Sequence, residues 1–208
     1  SPIYHDGQWL RDTFWVTGAV DDAALKRAAF ARFATRLQQG QAPTRLIPNS
    51  SSDVLFDDES TLLFVIWAYR DRPALGSTFD NAVAEAWNWV RRHVTGGQYW
   101  SPPGTFRAWH DTLIFPEWDV IAYNQGLYVV AAHAARALDL PVNEQEIRDA
   151  EEGYRRLFLP DLQYLPVSLR LPYHDISAVT GETLLRVIFD RAALRNDQVI
   201  STLNRHPG

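Results

Sequence analysis

The chain has 208 residues, 46% hydrophobic and 22% charged, a balance that suits a folded domain with a sizeable core and excludes a disordered segment. A net charge of -5 without any basic tract argues against nucleic acid as a partner, and no apolar run approaches the ~20 residues of a membrane span. The absence of cysteine excludes disulfides and thiolate metal sites and leaves the compartment open.

Helical periodicity begins at Asp21 and runs to Gln39, with Leu25, Ala28, Ala29, Phe33 and Leu37 near one face and Asp21 and Asp22 in the first turn. Residues 40–58 read as a polar loop, followed by a helix from Glu59 to Arg70 with Leu62, Leu63, Ile66 and Trp67 in its apolar stripe. A third helix spans Thr78 to Val94 and stops at Gly96-Gly97. Residues 96–119 then form a long loop with Trp100, Trp109 and Trp118. Val120 to Leu138 is apolar enough on all sides to be a buried helix. Asn143 to Leu157 is amphipathic, with Asn143 as cap and Glu146 three residues on, the spacing of a capping box. A second long loop covers 158–174, and Asp175 to Asp190 and Asp197 to Leu203 complete about eight helices. No β-hairpin signal and no glycine-rich phosphate loop stand out. The lack of methionine and the opening Ile3-Tyr4-His5-Asp6 suggest a segment of a longer protein.

Four clusters carry chemistry. In Trp9-Leu10-Arg11-Asp12 an indole adjoins an Arg-Asp pair, a combination that packs on a pyranose face and binds its hydroxyls; a helix-start acid with a salt-bridged arginine explains it equally. Asp57, Asp58 and Glu59 suit the positive end of a helix dipole, or line a pocket. Trp109-His110-Asp111 and Glu117-Trp118-Asp119 put three carboxylates and two indoles in one loop, and an indole beside a carboxyl can hold it protonated, as a general acid requires. Asn124 and Gln125, on an apolar helix, either satisfy buried loop backbone or face a polar cavity. Arg170, Tyr173, His174 and Asp175 are possible pocket residues of the second loop. His110 and His174 lack the spacing of a metal pair, so neither a metal nor any other cofactor is expected.

Trp9-Leu10-Arg11-Asp12 resembles the sugar-binding motif of glucoamylases. Arg11-Asp12-Thr13-Phe14 with Leu46-Ile47-Pro48-Asn49 and Asp58-Glu59-Ser60-Thr61 resembles glycogen-debranching enzymes of the amylo-α-1,6-glucosidase type. The run from Trp109-His110-Asp111 to Tyr123-Asn124-Gln125-Gly126 resembles the six-hairpin glycosidase superfamily more generally. The resemblance implies an all-α fold of helical hairpins in an (α/α)6 toroid, with about four of six hairpins within residues 1–208 as one partial domain. It implies a glycoside hydrolase, inverting and acting on an α-glucosidic link, with an oligo- or polysaccharide as substrate. Asp111 is then the first choice for general acid, with Glu117 and Asp119 as alternatives. Trp9, Arg11, Asp12, Asp58, Glu59, Trp109, His110, Asn124 and Gln125 become substrate-binding. No convincing general base lies in residues 190–208, and an incomplete toroid would expose inner helices that invite self-association. A non-catalytic carbohydrate-binding or structural α-hairpin domain is the alternative.

Overall fold

Largely apolar segments at residues 62–69 and 127–135 give this chain two helices that are buried on nearly all sides, and the rest of the fold is built on them. A computed structural model describes residues 7–47, 55–105, 107–109 and 113–205. The chain divides into two compact units, Ser1–Arg92 and His93–Gly208.

In the first unit, β1 (Gln8–Trp9) leads directly into α1 (Leu10–Gly18), and α2 (Ala23–Ala34) follows. Next come β2 (Pro43–Leu46), β3 (Leu55–Phe56), α3 (Asp58–Arg70), the single turn α4 (Arg72–Leu75) and α5 (Asp80–Arg91). The strands form a small antiparallel sheet in the order β1-β2-β3. Helix α3 is the central element: Asp58 through Ala68 are all buried. Phe30 of α2 stacks on Phe64 with ring centroids 4.4 Å apart and meets Trp67 edge-on, which joins α2 to α3. The Arg70 guanidinium closes the other side by donating to the Phe14 carbonyl (2.7 Å) and the Thr17 hydroxyl (2.8 Å), which satisfies acceptors at the end of α1. Buried Asp71 accepts from the Trp67 indole (2.8 Å) and pairs with Arg70 and Lys26, so no isolated charge is left there.

The second unit contains β4 (Val94–Thr95), β5 (Gln98–Tyr99), β6 (Gly104–Thr105), β7 (Ile114–Phe115), α6 (Ala122–Ala137) and α7 (Glu144–Arg155). A 3-10 turn (Ile176–Val179) runs into α8 (Thr180–Phe189), and α9 (Asn196–Asn204) ends the described chain. Helix α6 is buried from Ala122 to Ala135 and packs against both α7 and α8. Its crossing with α8 is made at Gly126 and Gly181, where a Cβ on Gly181 would overlap the Gly126 backbone, so the two helices touch backbone to backbone. The capping box at α7 is formed: Asn143 accepts from the Gln145 and Glu146 amides, and Glu146 accepts from the Asn143 amide at 2.7 Å.

Helices dominate, and those expected from periodicity are present within a few residues of their predicted ends. Two expectations need correction. The segments read as plain loops, 40–58 and 96–119, hold the short strands β2, β3, β5, β6 and β7, β4 takes the end of the expected Thr78 to Val94 helix, and β4-Gly96-Gly97-β5 is a two-residue hairpin with both glycines at positive φ (58° and 79°). Strands of two to four residues are too short for alternation to register, and Gly96-Gly97 serves both as helix stop and as hairpin turn. The Leu10–Gly18 helix was not marked by periodicity because Thr13 and Thr17 interrupt its apolar face; both hydroxyls turn back to helix carbonyls instead.

Candidate functional site

The β1-to-α1 handover sets the geometry around Trp9. Pairing of Trp9 with Arg45 in the sheet fixes the backbone, and the Thr13 hydroxyl bonds the Trp9 carbonyl at 2.7 Å. Trp9, Asp12, Thr13 and Val16 then face Leu25 and Ala29 of α2 across an open cavity of about 440 Å³. The Arg45 guanidinium lies over the Trp9 ring, 5.5 Å from its centroid. Asp12 is not half of a buried ion pair, as the motif suggested: its side chain is 66% exposed and 3.9 Å from the Arg11 Nε. Arg11 turns instead to buried Glu59, donating to its Oε2 at 3.3 Å.

The acids at the start of α3 are placed by the helix itself. Asp57 is the N-cap and accepts from the Ser60 amide at 2.6 Å. Its burial raises its pKa above 3.8, an effect opposed by hydrogen bonds from Ser60. Asp58 and Glu59 follow in the first turn, both buried, where the amide dipoles favour negative charge.

In the second unit the start of α6 gathers both long loops. Ser101 and Asp119 exchange backbone hydrogen bonds (2.8 and 3.1 Å), Leu169 donates to the Val120 carbonyl, and Ala122 donates to the Val167 carbonyl. Asp119, 2% exposed, sits at the centre of this junction: its carboxylate accepts from the Ser168 hydroxyl at 2.5 Å and from the Val120 amide at 2.8 Å. Burial is the largest influence on this carboxyl and raises its pKa above 3.8; the Ser168 and backbone hydrogen bonds oppose the rise.

One turn further on stand the two amides, Asn124 and Gln125, both buried. Gln125 accepts from the Tyr99 amide (2.8 Å) and donates to the Gly97 and Ala150 carbonyls (3.0 Å each), which ties the β4–β5 hairpin and α7 to α6. The Asn124 amide donates to the Ser101 hydroxyl (3.0 Å) and the Arg107 carbonyl (2.6 Å). Gln125 is spent on buried loop backbone, whereas Asn124 uses only its amide nitrogen and leaves a buried Oδ1 with no hydrogen-bond partner among the described residues.

Trp109 and Trp118 project from the first loop with 42% and 48% of their surface exposed. The Trp109 indole N–H donates to the Ser177 hydroxyl at 2.5 Å, and the Trp118 ring stacks against His93 at 5.9 Å between centroids. Glu117 is exposed and pairs with Arg170 at 2.6 Å. Asp111 and His110 lie outside the described residues. Tyr173 is exposed, and His174 bonds the Thr202 carbonyl at 2.6 Å through Nε2. Among the described residues no group of three or more His, Asp or Glu side chains is arranged to hold a metal ion, and no helix is long and apolar enough to cross a membrane.

The predicted residues thus lie in both units: Trp9, Arg11, Asp12, Asp58 and Glu59 in the first, and Trp109, Glu117, Asp119, Asn124 and Gln125 in the second. Sequence reasoning missed the loop hydroxyls Ser101, Ser168 and Ser177. Only Ser177 left a signal, the Asp175-Ile176-Ser177 spacing of an Asx turn. It also missed Thr13 and Val16, which follow Trp9 at helical spacing and complete the cavity wall. Neither a family model nor a curated protein sequence matches the chain.

Proposed function

We propose that the chain is a carbohydrate-active protein, a glycoside hydrolase acting on an α-glucosidic link by inversion, whose helical hairpins belong to an (α/α)6 toroid. The observation that carries this reading is the cavity lined by Trp9 and Asp12. An indole presents an apolar face to the C–H side of a pyranose ring, and the exposed Asp12 carboxylate accepts from its hydroxyls. A volume of about 440 Å³ lies within the range of ligand pockets, about 300–1,000 Å³. Arg11 contributes by fixing the start of α1 on Glu59 rather than by reaching into the cavity.

In the proposed reaction a carboxylic acid gives its proton to the glycosidic oxygen as the C–O bond breaks. Water, deprotonated by a second carboxylate about 6.5–9.5 Å from the first, attacks the anomeric carbon from the opposite face. Asp111 is assigned as the acid. Glu117 is exposed and paired with Arg170, and both oxygens of buried Asp119 accept hydrogen bonds within the protein. Asp119 is the buttress of the loop that carries Asp111.

Trp9→Ala and Asp12→Asn are each expected to weaken maltose binding about tenfold or more, a loss of ~1.4 kcal/mol, in calorimetric titration. In the full-length protein Asp111→Asn should abolish release of nitrophenol from an aryl α-glucoside while Asp119→Asn retains turnover, and the first product seen by NMR should be β-glucose. Unchanged turnover in Asp111→Asn removes it as acid. The second reading, a carbohydrate-binding module without catalysis, is favoured by the complete internal use of Gln125 and Asp119; maltose binding with no hydrolysis by the full-length protein would select it.

A further inference from the structure

The α2 wall of the first unit's cavity is informative because its side chains offer a ligand no hydrogen bond. Leu25 and Ala29 form that wall, and Val16 of α1 faces them. Val16 and Leu25 are 60% and 45% exposed, so neither belongs to the core of the unit. The polar side chains around them are engaged elsewhere. The Thr13 hydroxyl donates to the Trp9 carbonyl (2.7 Å), and the Thr17 hydroxyl donates to the Thr13 carbonyl (2.8 Å) and accepts from Arg70 (2.8 Å). On α2 the Asp22 carboxylate accepts from the Ala24 and Leu25 amides, Lys26 pairs with Asp71 at 3.4 Å, and the Arg27 guanidinium donates to the Ala74 carbonyl at 2.7 Å. The cavity therefore has two characters: the exposed Asp12 carboxylate accepts hydrogen bonds, whereas Val16, Leu25 and Ala29 present only aliphatic surface.

We propose that the cavity takes an α-glucoside whose aglycone is apolar, an alkyl or aryl group seated on Val16, Leu25 and Ala29, rather than a second sugar. The inference rests on the carbohydrate reading above and names the class of ligand for that same cavity. A volume of about 440 Å³ is larger than one pyranose ring fills, so the group attached to that ring lies within it as well. A second sugar placed there would lose water from hydroxyls that the aliphatic wall cannot hydrogen-bond, which is unfavourable. An alkyl chain gains from the same burial, up to about fourfold in affinity per methylene.

The test is calorimetric titration of the full chain with methyl α-glucoside, hexyl α-glucoside, maltose and hexanol. Hexyl α-glucoside should bind about tenfold or more tighter than methyl α-glucoside, and tighter than maltose. Val16→Thr, which is isosteric, and Leu25→Asn should each weaken hexyl α-glucoside about fivefold and leave methyl α-glucoside unchanged. Asp12→Asn should weaken both glucosides by the same factor, since it acts on the sugar. Val16 and Leu25 are exposed, so both variants should melt near the wild-type temperature, which separates binding from folding. Equal affinity for the hexyl and methyl glucosides, tighter binding of maltose, or full hexyl affinity in both wall variants overturns the apolar aglycone and leaves the carbohydrate reading in place. Hexanol bound as tightly as hexyl α-glucoside, or no binding of any of the three sugars, overturns the carbohydrate reading and this inference with it.

Discussion

Asp119 combines deep burial with hydrogen bonds that join two loops. Its position between Trp118 and a buried helix gives it the burial that a general acid needs, and its pKa is raised accordingly. The folded protein therefore binds its proton more tightly than the unfolded chain. The associated stabilisation is full below 3.8 and is lost as pH rises through the raised folded value. Asp119→Asn, which cannot ionise, should gain in urea midpoint relative to the wild type as pH increases from 3.8. A difference that stays constant with pH would show that the carboxylate is solvated and the junction open. The density of acid and indole around residues 109–119 was legible in the sequence, but the role of each acid was not. That role depends on Ser101 and Ser168, and nothing in the spacing of two loop serines links them to a carboxylate 18 or 49 residues away. Arg11 is a similar case: the motif pairs it with its neighbour Asp12, whereas the fold brings it to Glu59, 48 residues on.

At the scale of elements, helices were readable where a face or a cap marked them. Asn143 and Glu146 announced α7, and the alanine-rich, largely apolar composition announced α6. The short strands were not readable, because their pairing is imposed by neighbours rather than by pattern. The β4–β5 hairpin makes this testable. Both turn glycines have positive φ, but their surroundings differ: nothing lies within 4 Å of a Cβ on Gly96, whereas one on Gly97 would overlap the Asp149 backbone of α7. Gly96→Asn should change stability by less than about 0.5 kcal/mol, since asparagine accepts the left-handed conformation. Gly97→Ala should cost about 2–3 kcal/mol, because neither the φ nor the contact can relax cheaply. Chemical denaturation of the two variants side by side distinguishes them; equal effects would mean that the hairpin does not press on α7.

For the molecule as a whole, the sequence conveyed a mostly helical chain and missed its division at Arg92 and His93. Each unit has its own buried central helix, α3 in the first and α6 in the second, and its own aromatic core. Composition cannot reveal such a boundary, since α5 and β4 are separated by only two residues, Arg92 and His93, with no linker composition. A polypeptide of residues 93–208 is expected to unfold cooperatively by circular dichroism, with a protected set of α6 amides in hydrogen exchange. Non-cooperative melting of that piece would mean that its core is completed from elsewhere.

The Gly126–Gly181 contact has one more implication, for engineering rather than stability. With no side chains between them at that point, α6 and α8 touch backbone to backbone near their N-terminal ends, and the loop ends at Asp119 and Asp175 are anchored just before those two elements. Loop-tip residues such as Ile114, Trp118 and Tyr173, all exposed, should therefore be exchangeable in combinatorial libraries without displacing the anchors, which makes this end of the unit a scaffold for grafted recognition loops.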